Sequence, residues 1–481
     1  MRFGPQFTIF FDTVTFGAAF FEIFIAKIVL LGAKSQICSS IGRISGHPFS
    51  VVRIKFFFHA HTIFAARLCV RRVPVGMPVG LIAVFSGFCI FVVPKIRALK
   101  QMAGIYIHIP FCASRCDYCA FYSTVSGAAV RQRYVARLCR EIEERRGWLG
   151  SPDVSTIYIG GGTPSQLDAD QLHEIFGTLS RCFRIAPGAE VTMEVNPDDI
   201  TRQYAASLAR LPVNRISMGV QSLDDRLLRA IHRRHSAARA VESFGILREA
   251  GFENISLDLI YALPGETLAM WESDLDRMVG LGPEHISAYA LSIEEGTPLY
   301  ARMQRGGIAE ADEELYADMY ASLASRLAAA GYEHYEISNF ALPGKRAVHN
   351  ASYWKGDSYL GIGAGAHSFN GISRRVNLPD VQAYIGAGNI PEETETLSAA
   401  DKFDEMVMTR LRTCEGLELG EVERRFGRKN VEMLLESAET YIGSGRLRLD
   451  ADGAGRFLRL TASGILVSDG IMADLMNPDP D

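Results

Sequence analysis

IYIHIPFCASRCDYC, residues 105–119, decides the reading of this chain. The apolar run Ile105–Ile109 stops at Pro110, and three cysteines follow as Cys112-x-x-x-Cys116-x-x-Cys119. A short apolar run bounded by proline reads as a buried strand, so the cysteines fall on the loop that leaves it. Three thiolates at this spacing suit three irons of a [4Fe–4S] cube, because thiolates are the soft ligands such clusters demand. A three-cysteine set leaves one iron open to an outside ligand. A cluster needs that opening if it is to bind and reduce S-adenosylmethionine (SAM) rather than merely pass electrons. The bland alternative, three incidental buried cysteines, fits the rest of the chain poorly.

Outward from this stretch a single unit recurs: a short apolar strand, a polar or glycine-rich loop, then an amphipathic helix. Strands are expected at Ile105–Ile109, Thr156–Ile159, Glu190–Val195, Arg215–Gly219, Asn254–Leu259 and His285–Leu291. Between them the helices keep one apolar face, as in Tyr134, Val135, Leu138, Cys139 and Ile142. Another face runs through Leu227, Leu228 and Ile231 and resumes with Val241, Phe244 and Leu247. Parallel neighbours need crossover helices, so this alternation predicts an α/β fold with a parallel sheet. Six units fall short of the eight that close a full barrel, and the expectation is a partial (β/α)6 TIM-like barrel.

In parallel barrels chemistry gathers at the carboxyl ends of the strands, and here those ends are unusual. The first leads to the cysteines and the second to Gly160-Gly161-Gly162-Thr163-Pro164. The third ends in Glu194-Val195-Asn196-Pro197 and the fourth in Gly219-Val220-Gln221-Ser222. The fifth carries Asp258 and Tyr261-Ala-Leu-Pro-Gly. Glycines let the backbone approach a ligand and expose its polar groups, or merely make a tight turn. Beside a cluster loop the first reading gains weight, and in a SAM site this loop would meet the amino end of the methionine portion. Glu194 and Asp258 suit the SAM amine or ribose hydroxyls, or alternatively pair with Arg215 or Arg233. Gln221 can both give and accept a bond to a ribose hydroxyl. Arg233, in His232-Arg233-Arg234-His235, either forks onto the methionine carboxylate or is a solvated helix-end cation.

Beyond the barrel the segment 311–330 reads as a helix with Leu315, Met319, Leu323 and Leu327 on one side. An irregular stretch follows, containing Tyr335–Phe340, His349-Asn350-Ala-Ser-Tyr353-Trp354 and Gly361–Ser368. Histidine is a frequent axial ligand of haem iron and aromatic neighbours suit a porphyrin, but such residues more often simply pack a loop. His108 and His367 invite the same two readings. Cys139 and Cys182 sit on helix faces and read as core. A final module over 395–475 has helices bearing Phe403, Met406, Val407 and Leu411 and then Val431–Ile442. Two strand-like runs, Leu447–Leu449 and Phe457–Leu460, precede Thr461, which is placed to cap a last helix. This outline is winged-helix-like, and since the module is not basic it does not imply nucleic-acid binding.

Composition sets the limits. The chain has 481 residues, enough for one large domain and a smaller one, and a formal net charge of −5, which argues against a nucleic-acid partner. Nine cysteines in a chain of this size are no disulfide scaffold, and an iron–sulfur spacing points to a reducing, cytoplasmic setting. Residues 1–101 differ sharply: about a dozen Lys and Arg against Asp12 and Glu22, with more than half of the phenylalanines. The run Val73–Val93 is long and apolar enough to span a bilayer, flanked by Arg71, Arg72, Lys95 and Arg97, which leaves membrane association open. The preferred reading is a start assigned too early, with Met102 the native one, just ahead of the first strand. The expected organisation is therefore an extension over 1–101, a core barrel over 102–310, a connecting region over 311–394 and the terminal module over 395–475.

Several of these stretches resemble one family closely. Tyr106-Ile-His108-Ile-Pro110-Phe111-Cys112-x3-Cys116-x-Tyr118-Cys119, the Gly-Gly-Gly-Thr-Pro loop, Ser217–Ser222 and Asp258–Tyr261 resemble the radical SAM family of oxygen-independent coproporphyrinogen III oxidases. Within it the chain looks most like the haem chaperone branch, from about Gly104 to near the C-terminus. The resemblance implies that Cys112, Cys116 and Cys119 bind the cluster. It implies that Tyr106, Tyr118, Gly161, Gly162, Thr163, Glu194, Gln221, Arg233 and Asp258 bind SAM or lie against it, and it raises His349 as a haem-binding residue. The oxidases place a fourth cysteine two residues after the third, where this chain has Phe121. That departure favours a haem carrier, with haem, haem-acceptor proteins and an electron donor as partners, over oxidative decarboxylation of coproporphyrinogen III. A radical SAM enzyme acting on RNA is disfavoured by the lack of a basic face.

Overall fold

Ile105, Ile107 and Ile109 have no solvent exposure and His108 very little, so both faces of the first strand are buried, as parallel strands require. The computed structural model describes residues 103–150, 153–453 and 455–476, and six short leader strands as backbone only. The barrel strands are β1 (Ala103–Ile109), β2 (Asp153–Gly161), β3 (Arg184–Val195), β4 (Arg215–Gln221), β5 (Ile255–Tyr261) and β6 (His285–Ala290). They pair in parallel and in chain order, β1 beside β2 through to β5 beside β6. The expected partial barrel is what forms.

Helices cover it as the apolar spacing predicts. Helix Ala128–Glu144 buries Tyr134, Val135, Leu138, Cys139 and Ile142. One helical face needs correction. In helix Ala237–Glu249 the buried face is Ala240, Phe244 and Leu247, while Val241 is exposed, because at 100° per residue it turns away from Phe244 and Leu247.

The sheet does not stop at six strands. It has twelve, extended at both edges by the stretch that reads as irregular in sequence. Beyond β6 lie β7 (Glu333–Glu336) and β8 (Asn339–Ala341), with β8 antiparallel to β6. Beside β1 the chain adds β9 (Tyr359–Ile362) in parallel, then β10 (His367–Phe369), β11 (Ser373–Asn377) and β12 (Glu392–Thr396), antiparallel. These strands are too short for a period-2 signal, and their glycines mask what remains of it.

A separate core forms around Phe403, Val407, Leu411, Leu434 and Leu458 in the terminal module. Helices Ala399–Leu411 and Arg428–Gly443 pack there with the expected hairpin, Leu447–Asp452 and Gly455–Leu460, and a short third strand, Leu417–Glu418. Thr461 does cap the helix that follows, its hydroxyl accepting from the Gly464 amide. In the leader the described strands pair as Thr8–Val14 with Ile23–Val29, Val51–Phe57 with Ile63–Cys69 and Leu81–Phe85 with Phe88–Val92. The last pair accounts for the described part of the apolar run Val73–Val93, and the rest of that run lies outside the described residues. Among the described residues no helix is long and apolar enough to cross a membrane. The leader and Gln101–Asp481 are two separate units.

Candidate cluster and cofactor site

The cysteine loop is held at its ends by backbone and in its middle by one carboxylate. Thr124 donates to the Pro110 carbonyl and Cys112 to the Thr124 carbonyl, closing the loop onto the end of β1. Asp117 ties the centre to two helices. Its amide donates to the Ile231 carbonyl, its carbonyl accepts from Leu299, and its side chain meets His232 at 3.2 Å and Arg302 at 3.3 Å. His232 holds φ at 61° to make that contact, a left-handed conformation with a cost for a non-glycine residue.

A cavity of about 630 Å³ opens at the carboxyl ends of the barrel strands, within the size range of ligand sites. All the expected residues but two line it: the three cysteines, Tyr118, Gly161, Gly162, Thr163, Glu194, Gln221, Arg233 and Asp258. Burial pushes the Cys119 thiol up, and the nearness of Cys116 and Cys112 adds to the effect, so the three sulfurs share one space. Among the described residues no three ligand side chains are gathered tightly enough for a single ion. Spread round one cavity, the thiols instead fit a cluster that offers each a different iron. Thr163 Oγ1 donates to Cys112 Sγ at 3.4 Å and Arg233 to Cys116 Sγ at 3.4 Å, bonds that steady sulfur ligands and tune a cluster.

Arg233 is not a solvated helix end: it is half-buried, and its second terminal nitrogen, Nη2, donates to the Gly219 carbonyl. The glycine loop lies against the cysteine loop, with the Gly162 amide donating to the Ile109 carbonyl. A Cβ at Gly162 would fall 2.9 Å from the Phe111 nitrogen, and Gly161 holds φ at 114°, so both positions require glycine.

Glu194 accepts from the Tyr158 hydroxyl at 2.7 Å and from the Gly161 amide at 3.1 Å. Burial raises its carboxyl to about 7, and these donors only partly oppose the rise. Asp258 stands within β5 rather than at its end, accepting from Ser217 at 3.1 Å and Ser256 at 3.3 Å. Burial raises its carboxyl too. Gln221 sits at a register shift in β4 with φ at 69°, a strained backbone that turns its amide into the cavity wall.

Neither carboxylate makes the alternative ion pair with Arg215. That guanidinium is 1% exposed, lines the same cavity, and has its Nε without a partner among the described residues. Arg215 is thus the site residue whose role sequence reasoning missed. A lone arginine opening an apolar strand was its signal.

Tyr106 and His349 fall elsewhere. Tyr106 lines a neighbouring cavity and donates to His108 Nδ1 at 3.0 Å. His349 is 1% exposed, with Nδ1 at 2.8 Å from Thr156 Oγ1 and Nε2 at 2.8 Å from the Tyr353 hydroxyl. Burial, with Arg215 nearby, lowers its ring to about 3. The expectation that His349 binds haem therefore meets a ring with both nitrogens engaged. The short helix Val348–Trp354 that carries it has its first amides on the Glu190 carboxylate. Asn350 of that helix lines the cluster cavity, whereas Tyr353 and Trp354 line the other one.

Comparison with known proteins agrees with this geometry. The Radical SAM superfamily profile matches residues 106–278 and the HemN C-terminal domain profile residues 397–467. The coproporphyrinogen III oxidase HemN of Escherichia coli, a radical SAM enzyme, superposes with a TM-score of 0.68, covering 79% of this chain and 92% of its own at 23% identity. Fold and site thus define a radical SAM protein with a HemN-type C-terminal domain.

Curated relatives narrow this further. The "Heme chaperone HemW" of Mycobacterium tuberculosis is 36% identical over 386 residues, 78% of this chain and 95% of the relative. That of Bacillus subtilis is 37% identical over 332 residues, covering 68% and 88%, respectively. The chain belongs to the haem chaperone family of radical SAM proteins.

Proposed function

We propose that this chain is a cytoplasmic haem carrier that takes up haem and passes it to acceptor proteins. In this reading Cys112, Cys116 and Cys119 would hold a [4Fe–4S] cluster, and the cavity they line would also receive SAM. Arg233 would pair with the SAM carboxylate, Glu194 and the Gly161–Thr163 loop would receive its amine, and Gln221 and Asp258 would take the ribose hydroxyls. Tyr118 shields the cluster side of the cavity, where it packs with Leu227, Ile231, Ile260 and Leu263. A cluster held there would supply one-electron reducing chemistry toward SAM, with an electron donor as a further partner. The residues described here bind, orient and exclude water around that chemistry.

One observation carries the choice between carrier and oxidase. Phe121 stands where the oxidases place a fourth cysteine, it is 73% exposed, and it lines both cavities. An exposed ring at that position offers a porphyrin a face to stack on and offers iron nothing.

The test uses the full chain with its cluster rebuilt without oxygen, given SAM, a reductant and either ferric haem or coproporphyrinogen III. Stoichiometric haem binding without decarboxylated product supports the carrier. Protoporphyrinogen formed over many turnovers would overturn it in favour of the oxidase.

A further inference from the structure

Arg215 opens β4 at the floor of the cluster cavity, 1% exposed, and among the described residues it makes no ion pair and no side-chain hydrogen bond. The other arginines buried as deeply each meet a glutamate: Arg137 meets Glu144 at 3.2 Å, Arg145 Glu141 at 2.9 Å and Arg375 Glu392 at 3.5 Å. Burying a charge without a partner is costly, so a guanidinium held this way calls for a reason.

The strand register shows what Arg215 faces. It stands opposite Thr192 on β3, and Ser217, two residues on, stands opposite Glu194. On the other side Ser217 is opposite Ser256 and Gly219 opposite Asp258 of β5. Residues two apart share a face of a strand, so the arginine lies one layer below the two acids on the same side of the sheet. Arg215, Glu194, Ser217 and Asp258 all line the cavity, and Ser217 donates to Asp258 at 3.1 Å. The Thr192 hydroxyl beside the arginine is buried and, among the described residues, also without a partner. The remaining arginines of the wall reach other groups: Arg115 the Cys119 carbonyl, Arg233 Cys116 and the Gly219 carbonyl, Arg234 Asp199.

The other elements around the two acids bring no competing cation. Tyr106 of β1, Tyr158 of β2, Tyr289 of β6 and Tyr353 of the short helix face Glu194, and Tyr158 and Tyr289 face Asp258 as well. His285 and His349 lie near Arg215, and burial lowers both rings. Two carboxylates in one buried space disfavour each other's ionised forms, and a nearby cation counters that. A direct ion pair would occupy the oxygen lone pairs that a ligand needs. A cation standing off leaves them free.

Resting on the SAM reading above, we infer that Arg215 is a positioning residue of the cofactor cavity, supplying from the floor the counter-charge that lets Glu194 and Asp258 receive a cationic ligand. Without the guanidinium both carboxyls would rise further above their ordinary range, Glu194 from about 7. Binding that needs an ionised Glu194 would then survive only at higher pH.

The experiment uses the full-length chain with its cluster rebuilt without oxygen and no reductant added, so that SAM stays whole. Calorimetry from about pH 6 to about pH 8.5 follows the binding of SAM and, separately, of methylthioadenosine, which keeps the nucleoside but has neither ammonium nor sulfonium. Arg215→Met is expected to weaken SAM binding roughly tenfold near pH 7 and to move its pH midpoint up by about one unit. Methylthioadenosine should change by less than about twofold, and Arg215→Lys, which keeps the charge, should restore the wild-type midpoint. If Arg215→Met keeps the wild-type SAM affinity, or weakens both ligands alike with the midpoint unmoved, this inference falls while the SAM reading stands. If Arg215→Met and Arg215→Gln both fail to fold while Arg215→Lys folds, the charge serves the fold and the inference falls likewise. If wild type binds no SAM, both fall.

Discussion

At the scale of single residues, the candidate site is lined by groups whose chemistry is altered by burial. The three cysteines proposed to hold a cluster stand out in sequence because their spacing is local. Replacing Cys116 with serine removes a soft ligand and the sulfur on which Arg233 rests. The variant is expected to lose its cluster iron on anaerobic gel filtration, and full iron retention would contradict the assignment.

Glu194 gives a prediction with a sign. Its carboxyl lies at about 7 in the folded chain against 4.5 for an unburied one, so the folded state holds the extra proton between those values. Stability therefore falls as pH rises through that window. The melting temperature of cluster-free protein should decline from about pH 5 to about pH 7.5, and Glu194→Gln should flatten the slope. Asp258 and Glu266, also raised by burial, keep part of the slope in the variant. Equal slopes in the two proteins would mean that Glu194 is ionised throughout. What sequence did not disclose at this scale is which polar groups have partners. His349 meets Thr156, 193 residues away, and no local pattern encodes that contact.

Among elements, the cysteine loop and the glycine loop behave as one unit, bound through the Gly162 amide. A methyl group at 162 would press on backbone atoms at 2.9 and 3.0 Å, which cannot swing aside. Gly162→Ala is expected to cost about 1–3 kcal/mol in denaturant melts, and an unchanged midpoint would show that the loops adjust freely. Asp117 acts on the same loop from the other side. Asp117→Ala leaves all three thiols in place but frees the loop from His232 and Arg302, so the cluster should leak faster while the overall fold persists. Loss rates of bound iron, compared between variant and wild type, measure this. The helices were readable because their apolar faces repeat over several turns. The miss at Val241 came from a neighbour of that face, where a one-residue step swings the side chain 100°.

For the whole molecule, Gln101–Asp481 forms one unit and the leader another. A chain started at Met102 is therefore expected to fold, rebuild its cluster and bind SAM as the full chain does, by circular dichroism and calorimetry. Aggregation of that shorter chain would show that the leader contributes to folding. Sequence by itself determined the six-unit parallel barrel, the cluster loop, the glycine turn and the cap at Thr461. Each depends on neighbours in the chain and on a repeating apolar pattern. Only the tertiary structure decided that β9 inserts beside β1, with Tyr359 opposite Gly104. It likewise decided that His349 has both nitrogens engaged and that His367 lines the second cavity. The reason is physical: pairing between distant short strands is set by which edges are left open once the core has packed, and that is not written in any one segment.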